Sequence, residues 1–159
     1  MSADVARGGD VPITLIGGYL GAGKTTLINK LLSHTALPQG TAVLVNDFGD
    51  INIDETLIRS ESVDGTVIGL SNGCICCSIS DARSKALDEL RRLEVERVIM
   101  AASGVAEPAR VWQHGHYPGF APMACVVLVD GSNYEARAED KYVGNLVRAQ
   151  VAQAHLHIV

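Results

Sequence analysis

The sequence predicts an α/β fold with a mainly parallel sheet and helices on both of its faces. Short β-branched apolar runs alternate with segments of helical periodicity, which is the pattern of successive βαβ units. The chain has 159 residues, enough for one full hydrophobic core, so we expect one domain over residues 11–159 after a flexible N-terminus at residues 1–10. Apolar residues make up 47% of the chain and charged residues 19%, which excludes disordered and fibrous proteins.

The first βαβ unit is predicted from the N-terminal third of the chain. Residues 11–16 form a β-branched apolar run that ends at Gly17-Gly18, as expected of a buried strand that enters a tight turn. Apolar residues then recur at helical spacing from Lys24 and stop before Pro38. Residues 41–46 predict a second strand, and the order strand, helix, strand favours a parallel sheet.

The middle of the chain predicts a long loop, a strand and a helix. Residues 47–61 are acidic and lack periodicity, so we expect a functional loop with at most one helical turn. A strand at residues 66–70 leads into a cysteine-rich segment, after which Ser80 is expected to cap a helix. The apolar face of that helix is predicted to comprise Ala82, Ala86, Leu87, Leu90 and Leu93.

The C-terminal part of the chain predicts three further strands and two further helices. Strands are expected at residues 95–101 and 123–130, with a short helix after Pro108 between them. One helix is expected over residues 139–154, and residues 155–159 begin a last strand.

A phosphate-binding loop is the most specific signal in the chain. Residues 18–25 match the pattern Gly-x-x-x-x-Gly-Lys-Thr between a predicted strand and a predicted helix. Glycines let such a loop bend around an anion, while N–H groups at the helix N-terminus converge on its oxygens. Lys24 is expected to contact the β- and γ-phosphates, and the Thr25 hydroxyl to bind Mg²⁺. We therefore predict a P-loop NTPase, with a ligand-free glycine-rich turn as the alternative. The predicted nucleotide-binding residues are Gly18, Gly21, Ala22, Gly23, Lys24, Thr25 and Thr26.

A cysteine cluster predicts a transition-metal site. Cys74, Cys76 and Cys77 lie within four residues. Thiolates favour Zn²⁺ or Cu⁺, and a three-thiolate site leaves a fourth tetrahedral position open, which suits transfer of the metal. Cysteines that pack as small apolar residues, or that form a redox pair, are the alternative. Cys125 is expected to pack in the core, and His114 and His116 to lie in a surface loop or, less favoured, to complete a metal site.

Charge and hydropathy exclude two classes of partner. Lysine and arginine total 13 against 18 acidic residues, a net charge of −5 with no basic stripe, so nucleic acid is not predicted as a partner. No apolar run approaches the roughly 18 residues of a membrane span. A cytoplasmic location, in which thiols stay reduced, is therefore expected.

Four motifs occur in a fixed order along the chain. Residues 17–27 contain the phosphate loop, residues 46–49 read Asn-Asp-Phe-Gly, residues 73–77 read Gly-Cys-Ile-Cys-Cys, and residues 103–108 read Ser-Gly-Val-Ala-Glu-Pro. Together they resemble the CobW-type GTPases, also described as zinc-regulated GTPase metalloprotein activators. The resemblance implies a GTPase that binds zinc, or cobalt, through Cys74, Cys76 and Cys77 and delivers it to a client metalloprotein.

The resemblance also implies roles and reveals departures. Lys24, Thr25 and Asp47 would act in catalysis, and Asp47 would join Thr25 near Mg²⁺. Where the family has a glutamate two residues before Ser-Gly, this chain has Ala101, so slow or absent hydrolysis is expected. The family's guanine-reading Asn-Lys-x-Asp segment and smaller C-terminal domain would follow Val159. The chain is therefore expected to be truncated, and preference for GTP over ATP follows from the resemblance alone.

Three functions are compatible with these expectations. In the first, Mg²⁺-GTP binds at residues 18–26 and sets the metal affinity of the cysteines. In the second, the chain is a non-hydrolysing nucleotide- and metal-binding module. In the third, it is a P-loop ATPase or kinase with incidental cysteines. A homodimer is compatible with the sequence but not indicated by it.

Overall fold

The computed structural model describes residues 9–33, 37–45, 58–62, 65–69, 75–78 and 83–159. For the strands within residues 58–78, the description is of the backbone alone. Within the described residues, none of the helices is long and apolar enough to cross a membrane. Of the predicted flexible N-terminus, only residues 9 and 10 are described, so that expectation stays a prediction.

The described backbone forms eight strands and five helices, and strands and helices alternate along most of the chain. The strands are β1 (Val11–Gly17), β2 (Thr41–Val45), β3 (Ile58–Ser62), β4 (Gly65–Gly69), β5 (Ile75–Ser78), β6 (Arg97–Ala101), β7 (Phe120–Leu128) and β8 (Leu156–Ile158). The helices are α1 (Lys24–Ser33), α2 (Arg83–Arg92), α3 (Pro108–His114), α4 (Tyr134–Glu139) and α5 (Gly144–Ala152).

The eight described strands form one sheet in the order β3-β4-β5-β2-β6-β1-β7-β8. All neighbours from β5 to β8 are parallel, whereas β4 pairs antiparallel with both β3 and β5. The predicted α/β fold with a mainly parallel sheet is confirmed. Strand β1 lies between β6 and β7, and the carboxyl ends of these parallel strands therefore lie side by side, where open α/β sheets bind their ligands.

Helices cover both faces of the sheet, as predicted. Leu44 of β2 packs in the same apolar cluster as Leu90 of α2. Its neighbour Val43 packs in the cluster that holds Ile28 of α1. Because successive side chains of a strand point to opposite faces, these two clusters lie on opposite sides of the sheet. All five residues of β2 are buried, as is typical of a central parallel strand.

The prediction of one loop over residues 47–61 is wrong at its C-terminal end. Strand β3 forms at Ile58–Ser62 and pairs antiparallel with β4, with Ser62 opposite Gly65. Its polar sequence, Ile-Arg-Ser-Glu-Ser, lacks an apolar run because β3 lies at the edge of the sheet. Residues 46–57 lie outside the described residues, so the expected helical turn there stays a prediction.

The predicted single helix over residues 139–154 is also wrong, because α4 ends at Glu139 and α5 begins at Gly144. Asp140 causes the break. Its backbone is extended (φ −64°, ψ 134°), and its Oδ1 accepts hydrogen bonds from the N–H groups of Tyr142 (2.7 Å) and Val143 (3.0 Å). These two N–H groups lower the pKa of the Asp140 carboxyl.

Two smaller expectations have opposite outcomes. Helix α2 ends before Leu93, which is 43% exposed rather than on the buried face, and the chain turns at Glu94 with a φ of +52°. Ser80 and Ala82, the predicted start of this helix, lie outside the described residues.

Cys125 does pack in the core, at 1% exposure, and burial raises the pKa of its thiol.

Candidate nucleotide-binding site

The predicted phosphate loop joins the end of β1 to the start of α1 at the ligand-binding edge of the sheet. Gly18, Gly21 and Gly23 have φ values of +136°, +79° and +99°, a region that side chains disfavour. Three residues with positive φ among six bend the backbone sharply before α1 begins at Lys24. The N-terminal N–H groups of a helix lack intrahelical partners, so this bend presents free donors and a positive helix end to an anion.

Gly18 and Gly21 are required for different reasons. A Cβ atom on Gly18 would lie 2.5 Å from the carbonyl oxygen of Leu128 and 3.2 Å from its nitrogen, so the loop packs directly on the β7 backbone. A Cβ atom on Gly21 would meet only Nη2 of Arg137, at 3.9 Å. Close backbone approach therefore selects glycine at position 18, and backbone conformation alone selects it at position 21.

This difference predicts unequal costs for two alanine substitutions. Gly18→Ala is expected to lower the free energy of unfolding by about 2 kcal/mol, because the Leu128 backbone cannot move aside. Gly21→Ala adds only the left-handed backbone penalty of about 1 kcal/mol. Urea unfolding of both variants and the unchanged chain measures the difference. Equal losses for the two variants would contradict the packing of Gly18 on β7.

The ammonium group of Lys24 lies over the phosphate loop. Its Nζ donates hydrogen bonds to the carbonyl oxygens of Gly18 (2.6 Å) and Tyr19 (3.1 Å). The side chain is half-buried, and this burial lowers its pKa. A bound phosphate would offer Lys24 stronger, charged acceptors than these carbonyls.

Arg137 of α4 brings a second cation to the loop. Its guanidinium carbon lies 5.3 Å from the centre of the Tyr19 ring, and its Nη1 lies 3.4 Å from Oδ2 of Asp130. Asp130 also accepts hydrogen bonds from Ser132 (2.6 Å) and Asn133 (2.8 Å), which with Arg137 lower the pKa of its carboxyl. Sequence analysis missed Arg137. The nearest signal in the sequence was Asp130, the last residue of a predicted strand.

The loop that follows β6, residues 103–106, contacts the phosphate loop from the other side. The Ala102 N–H donates to the carbonyl of Ile16 in β1 (2.8 Å), which ties the start of this loop to the strand that enters the phosphate loop. A Cβ atom on Gly104 would lie 2.5 Å from Cδ2 of Leu20 and 3.0 Å from the Leu20 nitrogen. We call residues 103–106 the 103–106 loop.

The residues at this edge fit Mg²⁺ only in part. P-loop NTPases hold Mg²⁺ with the hydroxyl of the loop's Ser or Thr and with a carboxylate at a neighbouring strand end. Thr25 is half-buried in the first turn of α1, but β6 ends at Ala101, whose methyl group packs against the apolar cluster of Ile28. Asp47, the other predicted Mg²⁺ residue, lies outside the described residues.

The cysteine motif is described only in its backbone. Cys74 lies outside the described residues, whereas Cys76 and Cys77 belong to β5, where they pair with Val43 and Leu44 of β2. Strand β5 continues one residue beyond this pair, to Ser78. The predicted metal site stays a prediction.

The other metal-ligating residues do not assemble in the described part of the chain, where no three His, Cys, Asp or Glu side chains come together at metal-binding distances. His114 is the last residue of α3 and His116 follows it, and both are exposed. Their predicted surface position is therefore confirmed, although His114 is helical rather than in a loop.

Comparison with known proteins points to one family. Residues 12–159 match the family model described as CobW/HypB/UreG, nucleotide-binding domain. The zinc chaperone CobW of Pseudomonas aeruginosa is 34% identical over 117 residues, which are 68% of this chain and 31% of the relative. The zinc chaperone YjiA of Escherichia coli is 35% identical over 109 residues, which are 65% of this chain and 33% of that protein.

The structural neighbours agree with these relatives. The crystal structure of Zn(II)-bound YjiA GTPase from E. coli superposes with a TM-score of 0.70 at 28% sequence identity, over 93% of this chain and 48% of the neighbour. The P-loop NTPase-like fold is thereby confirmed. The chain spans about a third of the length of the curated relatives it matches.

Proposed function

Because the chain belongs to the CobW/HypB/UreG family of nucleotide-binding domains, we propose that it is a GTP-binding, GTP-hydrolysing metallochaperone. Zinc is its cargo, which Cys74, Cys76 and Cys77 bind for delivery to a client metalloprotein. The observation that carries this proposal is the phosphate loop with Lys24 at its centre, in a chain that also holds three clustered cysteines. The names of the relatives, zinc chaperones and GTPase metalloprotein activators, support zinc as cargo.

In the proposed mechanism, the phosphate loop binds the polyphosphate through backbone N–H groups and α1. Lys24 exchanges the carbonyls of Gly18 and Tyr19 for β- and γ-phosphate oxygens. The Thr25 hydroxyl, with Asp47, would hold Mg²⁺, which neutralises charge on these oxygens when bound. Arg137 adds positive charge beside the loop, where it favours a polyanion.

The sheet offers a direct route between nucleotide and cargo. Strand β2 lies between β5, which carries Cys76 and Cys77, and β6, whose end adjoins the phosphate loop. Residues 46 and 47 follow β2 directly. A shift of β2 or its C-terminal end on nucleotide binding would therefore reach both sites. Cargo affinity changes only if the two nucleotide states differ in their interaction with zinc.

Hydrolysis is tested by GTP turnover on the full chain and on Ala101→Glu. We expect slow turnover by the unchanged chain and about tenfold faster turnover by the variant, because a carboxylate at the end of β6 supplies the missing Mg²⁺ contact. Ala101→Gln has a similar size without the charge and serves as the control. Phosphate release measures turnover, and titration with fluorescent GTP, with and without ATP as competitor, measures binding.

Each outcome separates the candidate functions. The alanine at position 101, where the family has a glutamate, favours the second candidate, a non-hydrolysing nucleotide- and metal-binding module. GTP binding without turnover in all three proteins would establish that module. ATP that displaces GTP at equal concentration would instead favour a P-loop ATPase or kinase.

A further inference from the structure

The Gln150 side chain ties helix α5 to the 103–106 loop. Gln150 is 1% exposed, and its Nε2 donates hydrogen bonds to the carbonyl oxygens of Gly104 and Ala106, both at 3.0 Å. A glutamine amide nitrogen carries two hydrogens, so both of its donors are used. A buried polar side chain whose donors reach residues more than 40 positions away in the chain is a specific tertiary contact rather than a local turn.

Among the residues that the structure describes, the 103–106 loop has few other hydrogen bonds that hold it against the phosphate loop. Its start is fixed by the hydrogen bond from Ala102 to Ile16, and its turn by a bond from the Ala106 N–H to the Ser103 carbonyl (3.0 Å). Neither bond fixes the distance between Gly104 and Leu20. The Gln150 amide holds the two carbonyls that flank Val105, and so keeps Gly104 in contact with the Leu20 backbone.

The position of this contact defines which part of a nucleotide it affects. Strand β6 ends at Ala101, the place from which P-loop NTPases approach Mg²⁺ and the β- and γ-phosphates. The 103–106 loop begins two residues later, so it would border the terminal phosphates of a bound nucleotide. The diphosphate and the triphosphate differ at this end of the ligand.

We propose that Gln150 is a positioning residue that holds the 103–106 loop against Leu20 and thereby sets the preference of the site for a nucleoside triphosphate over a diphosphate. This inference rests on the proposed function, since it requires a nucleotide at the phosphate loop. It assigns Gln150 no contact with the nucleotide. Through this contact, helix α5 helps the site to distinguish a bound triphosphate from a bound diphosphate.

The test compares two glutamines of the same segment in the full chain. Gln150→Leu removes both hydrogen bonds to the 103–106 loop. Gln153→Leu is the matched control, because the Oε1 of Gln153 accepts a hydrogen bond from the Ala109 N–H (2.9 Å) at the start of α3 and does not touch the loop. Affinities for fluorescent GDP and a fluorescent non-hydrolysable GTP analogue are measured by titration.

We expect Gln150→Leu to weaken binding of the GTP analogue about tenfold and binding of GDP less than twofold, and Gln153→Leu to change neither by more than twofold. An equal loss for both nucleotides would overturn the proposal, because it would indicate a general effect on the phosphate loop. No loss for either nucleotide would overturn it as well.

A second variant changes the loop side of the same contact and is used if Gln150→Leu does not fold. In Gly104→Ala the added methyl group meets the side chain and the backbone nitrogen of Leu20 and is expected to produce the same selective loss. Circular dichroism establishes that each variant is folded. If the unchanged chain binds adenine rather than guanine nucleotides, the proposed function fails, and the same comparison with ADP and an ATP analogue still tests Gln150. If it binds no nucleotide, both proposals fail.

Discussion

Serine in place of Cys74, Cys76 and Cys77 is expected to weaken Zn²⁺ binding by about a thousandfold or more. Thiolates are the strongest protein ligands for zinc, and their loss removes most of a binding free energy that reaches about 10 kcal/mol or more in sites of this kind. Competition with a chromophoric chelator measures the affinity, in the presence of Mg²⁺-GTP and of Mg²⁺-GDP. In the unchanged chain we expect the two nucleotides to give zinc affinities that differ at least about fivefold.

Cys125 provides the control for this experiment. It lies in the core on β7, so Cys125→Ala is expected to leave zinc affinity within about twofold of the unchanged chain. Tight zinc binding by the triple serine variant would place the cargo site elsewhere. Zinc affinity that is the same with GTP and GDP would leave a metal-binding chain without a nucleotide switch.

The second large effect is expected at Lys24. Lys24→Ala should weaken binding of GTP and GDP by about a hundredfold, because it removes a charged donor to the phosphates from a half-buried position. Lys30 is exposed on the same helix, so Lys30→Ala serves as the control. We expect it to change nucleotide affinity by less than about twofold. Titration with fluorescent GDP gives both values, and undiminished binding by Lys24→Ala would contradict the predicted site.

The pH dependence of nucleotide binding gives Lys24 a second signature. Burial lowers the pKa of Lys24 in the free protein, whereas a bound phosphate raises it. Binding is therefore strongest below the pKa of the free protein and weakens as the pH rises from that value towards the pKa in the complex. Lys24→Ala should not show this loss of nucleotide affinity at alkaline pH. If Lys24→Ala does show it, the titration belongs to another group.

The sequence predicted the parts of the structure that depend on local signals. The central strands are apolar runs because both faces of the sheet are covered, and the phosphate loop is a contiguous motif, so neither needs information from distant residues. Strand β3 was missed because its polar residues form a strand only by pairing with β4. Asp140 was missed as a helix break because Asp also occurs within helices, and only its hydrogen bonds to Tyr142 and Val143 end α4.

The supporting residues of the candidate site were not predictable in the same way. Gln150 looks like an ordinary polar residue of an amphipathic helix until α5 is placed beside the 103–106 loop. Arg137 likewise gains its role only when α4 brings it over Tyr19. Single-sequence reasoning finds residues that are close together in the chain, and both of these contacts join distant segments.

The central position of β1 has a consequence for the order in which the protein folds. Ile13 pairs with Val98, and Thr14 pairs with Ala124, so both neighbours of β1 lie far from it along the chain. Such long-range pairings close only after large loops have lost their freedom, which slows folding. During synthesis, β1 can pair with β6 first, and it gains its second neighbour only after β7 has left the ribosome. The phosphate loop packs on the β7 backbone at Gly18, so we expect nucleotide binding only after β7 has joined the sheet, and one edge of β1 stays exposed until then.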